Sequence, residues 1–160
     1  STFVSNAQSY AKAARSEALI GTYRLPVNTN EATVITFSKL QTALENGGIK
    51  SSYDGTFDSD YSYVIIVNKA TAEEPQYVYY IAAADSKGYG IGGAKSATDS
   101  TIEAKVLAYD SLENKNIVQL GLTSTKPNGI KFPAAAASGG KYTITLDGAS
   151  ITIPEENFYH

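Results

Sequence analysis

The chain has 160 residues, 42% hydrophobic and 18% charged, an ordinary folding composition for a single domain spanning 1–160 with a core of its own. A net charge of −3, a sequence pI near 5.1 and the lack of any run of Lys or Arg argue against nucleic-acid binding through a basic surface. With no cysteine and a single histidine at the last position, His160, the chain has no disulfide, no thiolate metal ligand and no histidine-based acid–base or triad machinery, and it reads as a non-enzyme.

From its first residue the sequence reads as an amphipathic helix, STFVSNAQSYAKAARSEAL. At 100° per residue Phe3, Val4, Ala7, Tyr10, Ala11, Ala14 and Ala18 fall within an arc of about 120°, an apolar stripe suited to packing on a sheet. The opposite side carries Ser5, Gln8, Lys12 and Arg15, and Gly21 suits a C-cap. The helix starts without a lead-in or an evident cap, and the chain has no methionine, so Ser1 is expected to be a processed or cut end of a longer helix. No run of about 18 apolar residues exists within the chain, so a membrane segment is expected only before Ser1.

Residues 21–60 read as a connection with a short helix. Pro26 and the Asn28-Thr29-Asn30 cluster mark a loop, Ala32–Phe37 a short strand, and Ser38 the N-cap of a helix ending at Gly47 or Gly48. Residues 61–92 carry the strongest strand signals, Tyr61–Asn68 and Tyr77–Ala84, joined by a polar link containing Pro75 and followed by a short strand near Tyr89–Ile91. These three are expected to form an antiparallel meander, with Tyr77, Tyr79 and Ile81 on one face of the second strand and Val78, Tyr80 and Ala82 on the other. In the variable region, 93–140, Ile102–Tyr109 fits helix or strand equally, Ser111–Leu120 reads as a short helix, and Thr123–Gly140 as irregular surface. Within 141–160, Lys141–Leu146 and Ala149–Ile153 flank Asp147-Gly148, a two-residue hairpin signal.

Candidate chemistry is sparse. Asp54, Asp58 and Asp60 could offer oxygens to Ca²⁺, but aspartate is the common turn former and the spacing lacks the twelve-residue calcium loop with its terminal glutamate. Gly88, Gly90 and Gly93 fit G-x-G-x-x-G, yet a polar loop follows where a dinucleotide fold needs an apolar helix. Glu73-Glu74 and Glu155-Glu156 sit beside prolines in exposed turns. No catalytic, cofactor-binding or metal-binding residue is assigned, and no cofactor is expected.

Two of these stretches, Ser1–Leu19 and YSYVIIVNKATAEEPQYVYYIAAADSKGYGI at Tyr61–Ile91, jointly resemble the type IV pilin family, particularly pilins of Gram-positive bacteria. The first is similar to the exposed half of a pilin's N-terminal helix and the second to its central hairpin. The family's disulfide-bounded C-terminal loop has no counterpart, since there is no Cys; the hairpin at Lys141–Ile153 stands in its place. The resemblance implies an α+β fold, a long N-terminal helix packed on an antiparallel β-sheet, and a structural subunit that polymerises into an extracellular filament, anchored in the membrane before assembly. Its partners would be other pilin subunits, the pilus assembly machinery, and the inner membrane through a segment preceding Ser1. Ser5, Gln8, Lys12 and Arg15 would then face neighbouring subunits. The alternatives are a minor pilin or adhesin at a filament tip, for which twelve tyrosines offer stacking surface, and a pseudopilin of a secretion or DNA-uptake system.

Overall fold

The computed structural model describes residues 2–44, 49–132 and 139–160. Helix α1 (Phe3–Leu19) is capped at its start. Thr2 is extended (φ −97°, ψ 164°), its Oγ1 accepts the Ser5 N–H at 3.0 Å, and Ser5 Oγ accepts the Thr2 N–H at 2.9 Å. This is a capping box with serine in the place of the usual Glu or Gln, which is why an uncapped start was expected from the sequence. Phe3, Val4, Ala7, Tyr10, Ala11, Ala14 and Ala18 are all buried, with Ala13 joining them. The helix stops where Gly21 takes φ 90° and donates its N–H to Ala18 O.

Strand β1 (Glu31–Thr36) runs directly into α2 (Phe37–Leu40), a single turn with Thr36 rather than Ser38 at its N-cap position and no side-chain cap bond, and then a 3-10 turn (Gln41–Ala43). The expected helix end at Gly47 or Gly48 lies outside the described residues. β2 (Tyr63–Asn68) and β3 (Tyr77–Ala82) pair antiparallel over six residues, from Tyr63↔Ala82 to Asn68↔Tyr77. The buried Asn68 side chain organises their connection: its Oδ1 accepts the N–H groups of Ala70 and Gln76, and its Nδ2 donates to Val27 O at 2.8 Å.

β4 (Tyr89–Ala94) returns antiparallel to the chain just after β3 through an Ala84↔Gly90 bridge, with Ile91 donating its N–H to Ala83 O at 2.9 Å, but then leaves the sheet instead of completing a meander. It forms a separate three-stranded sheet with β5 (Ile102–Ala104) and, beyond β6 (Leu107–Ala108), with β7 (Ile117–Gln119). Crowding explains two of its three glycines, Gly90 and Gly92. A Cβ on Gly90 would lie 2.7 Å from Ala83 O and one on Gly92 2.4 Å from Glu103 O, so the glycine-rich run permits close backbone crossing and does not cradle a phosphate. The helix expected at Ser111–Leu120 is a 3-10 turn (Asn114–Asn116) followed by β7, because β-branched Ile117 and Val118 pair with Ile91 and Gly90. β8 (Leu122–Thr123) and β9 (Lys126–Pro127) make a small ribbon, and β10 (Lys141–Leu146), β11 (Ala149–Pro154) and β12 (Phe158–Tyr159) complete the chain. Asp147 (φ 49°) and Gly148 (φ 78°) turn β10 into β11, both in the left-handed region that a tight hairpin requires.

The main sheet runs β10-β11-β1-β2-β3-β6, with β12 also on β1. It is mixed, since β1 is parallel to both β11 and β12. The expected architecture, a long N-terminal helix packed on an antiparallel β-sheet, is therefore corrected: the protein is mostly β, with 37% strand against 22% helix, one 17-residue helix and a curled sheet. The physical reason is that the central strands have no polar face. All of β2 is buried, and so is β1 apart from Glu31. Ile35, Val64, Ile66 and Ile81 share one cluster with the buried side of α1, while Val34, Tyr63, Ile65 and Val67 share a second with Tyr142, Leu146, Ile151 and Ile153 of the hairpin. The sheet bends far enough that Tyr80 on β3 donates its O–H to Asp147 Oδ2 at 2.9 Å, although four strand positions separate β3 from β10.

Candidate functional site

Because α1 is buried along one side only, its other side is available. Lys12, Arg15 and Leu19, spaced by three and four residues, form one lip of a groove of about 520 Å³. The floor and far wall come from Tyr77, Val78 and Tyr79 of β3 and from Ala108, Tyr109 and Asp110. The groove exists because β6 is short: it pairs only Tyr80 and Ile81, and the chain then turns away in a 3-10 turn (Tyr109–Ser111). Among the described residues no strand pairs with Tyr77, Val78 or Tyr79 on that edge. Gln8 ties the far wall to the helix, its Nε2 donating to Tyr109 O at 3.2 Å.

Lys12 and Arg15 are exposed and form no ion pair among the described residues, Asp110 across the groove included. Tyr77, Tyr79 and Tyr109 are half-buried. Burial raises the Tyr79 phenol above its ordinary value, while the charge of Arg15 pulls it the other way. The guanidinium thus acts on the same space as the phenol.

The four helix residues expected to meet neighbouring subunits divide into two pairs. Ser5 is engaged in the helix cap and Gln8 in the bond to Tyr109 O; both border a shallower depression with Thr2, Val4 and Leu112–Lys115. Lys12 and Arg15 lie in the groove. Tyr77 and Tyr79 were legible as one face of a strand, but Tyr109 closed a segment whose pattern fits helix and strand alike, and Asp110 fell between that segment and the helix expected from Ser111.

The other candidates are accounted for locally. Asp58 pairs with Lys126 Nζ at 3.2 Å and accepts the Asp60 N–H at 3.0 Å, and Asp54 sits at φ 61° in a turn. Among the described residues no group of three or more His, Asp or Glu side chains is placed to hold a metal ion. What the groove offers chemically is aromatic surface, two positive charges without an ion-pair partner among the described residues, and one carboxylate.

Comparison with protein-family models, with curated proteins and with solved structures finds no match to this chain.

Proposed function

We propose that this chain is a subunit of an extracellular filament of the type IV pilin family, acting there as an adhesive subunit. The family part rests on the resemblance of Ser1–Leu19 and Tyr61–Ile91 to pilin sequences. The adhesive part rests on one observation: the groove beside α1 joins three half-buried tyrosines and two cations that form no ion pair among the described residues in a concavity of about 520 Å³. Sites that recognise small ligands combine apolar and aromatic walls with a few polar groups in clefts of about 300–1,000 Å³. No catalytic role is assigned to any residue.

The test has two parts: immunogold labelling of cells that produce the protein, and binding of the purified fluorescent chain to candidate target cells. Labelled filaments together with saturable cell binding support the proposal. Labelled filaments without cell binding assign the chain to the bulk of the filament, and label confined to amorphous surface material refutes the pilin reading.

A further inference from the structure

The adhesive reading leaves the ligand open, and the chemistry of the groove narrows it. We propose that the groove between α1 and the open edge of β3 binds an acidic pyranose, a uronic or sialic acid residue of a glycan, with Arg15 and Lys12 holding its carboxylate. This inference rests on the adhesive reading and adds the class of ligand.

Three features select an acidic sugar. Tyr77 and Tyr79 lie two residues apart on the same face of β3, and Tyr109 lines the same groove, so it presents three aromatic side chains facing the helix lip. The C–H face of a pyranose carries the weak positive charge that the negative face of an aromatic ring attracts. Arg15 and Lys12, three residues apart on one helix face, are free of acidic partners among the described residues, and a guanidinium matches a planar carboxylate with two parallel N–H···O bonds. Asp110 can accept hydrogen bonds from sugar hydroxyls, as can the unpaired backbone edge of β3 at Tyr77–Tyr79.

The same features disfavour other anions. The groove flanks the C-terminal half of α1, Ala11 to Leu19, so it lacks the free N–H groups of a helix N-terminus that a dianionic phosphate would use. Asp110 would repel a second negative charge, so a run of acidic side chains fits less well than a single carboxylate on a hydroxyl-rich ring.

The inference is tested by calorimetric titration of the 160-residue chain with methyl β-D-glucuronide and with N-acetylneuraminic acid. Neutral methyl β-D-glucoside, inorganic phosphate and a glutamate hexapeptide serve as comparison probes. We expect an acidic sugar to bind with a Kd of about 1 mM or tighter, and the neutral sugar at least about tenfold more weakly. Arg15→Gln and Lys12→Gln, both on an exposed helix face, should each weaken acidic-sugar binding about tenfold while leaving the thermal midpoint unchanged. Absence of saturable acidic-sugar binding by the folded chain overturns the inference, as does binding that both variants retain or that phosphate or the peptide reproduces more tightly. Cell binding separates the two levels: binding competed away by the acidic sugar supports the inference, cell binding that persists at saturating sugar refutes the ligand but leaves the adhesive reading intact, and no cell binding at all removes both.

Discussion

Phe37→Ala probes the contact that fixes α1 to the rest of the fold. Phe37 is fully buried, stacks on Tyr10 at 3.8 Å between ring centroids with an interplanar angle of 6°, and meets Phe57 edge-on at 5.2 Å. Removing the Phe37 ring leaves a hollow walled by Tyr10 on the helix and Phe57 on the loop before β2, and Phe57 is itself braced by Phe3 at 5.1 Å and Tyr10 at 5.8 Å. Phe→Ala in a core costs about 3–5 kcal/mol, and rigid neighbours that cannot close the cavity place this site near 4 kcal/mol. For a chain of this size that corresponds to a fall in thermal midpoint of roughly 8–16 °C. Equilibrium unfolding in urea, followed by far-UV circular dichroism, gives the free energy directly. Phe37→Leu, which keeps most of the volume but loses the stack, should cost about 1–2 kcal/mol. A loss below about 1 kcal/mol for the alanine variant would show that the Tyr10–Phe37–Phe57 cluster does not anchor the helix.

Three further outcomes follow from local geometry. Gly92→Ala places a Cβ 2.4 Å from Glu103 O and should cost about 1–3 kcal/mol, whereas Gly93→Ala meets only the Lys105 side chain at 3.7 Å and should stay within about 0.5 kcal/mol; equal thermal midpoints would contradict the packing described for β4. Thr2→Ala removes the side-chain half of the capping box at an expected cost of about 1 kcal/mol, read as faster amide exchange at Ser5, and unchanged exchange would dismiss the cap. Burial raises the phenols of Tyr10 and Tyr80 from 10.0 to about 12, with Asp147 adding to burial at Tyr80, and it raises Tyr63 in the same direction. Because the folded state holds these protons more tightly than the unfolded state, the stability they contribute is complete below pH 10 and is lost as pH rises from 10 through about 12. The urea midpoint should therefore fall between about pH 10 and pH 12, and a flat profile over that interval would exclude buried neutral phenols.

How far the sequence reveals the fold depends on whether a feature is written locally. The Asp147-Gly148 hairpin is legible because a two-residue turn demands positive φ at both positions and few residue pairs supply it. The apolar stripe of α1 and the faces of β3 are likewise periodic signals. The parallel pairing of β1 with β11 and β12 is not legible, since nothing near Glu31–Thr36 specifies partners at the far end of the chain. The unbroken apolar run of β2 accords with burial on both faces, but a run of that kind does not say what covers each face. Ser111–Leu120 misleads because Ser111 and Gly121 mimic helix caps while Ile117 and Val118 gain more by pairing with β4. Of the groove, the helix lip and the strand floor are readable from periodicity; their juxtaposition with Tyr109 and Asp110 depends on how soon β6 ends, which is set by tertiary pairing.

The central claim, that the groove beside α1 is a binding surface, is tested most directly by charge reversal at Arg15. Arg15→Glu and, as a control with the same change in net charge, Lys95→Glu on the exposed loop after β4 would be compared with the unaltered chain for binding to target cells, with thermal midpoints measured alongside. The account predicts that Arg15→Glu abolishes binding, Lys95→Glu retains it, and all three chains unfold at the same temperature. Undiminished binding by Arg15→Glu would contradict it.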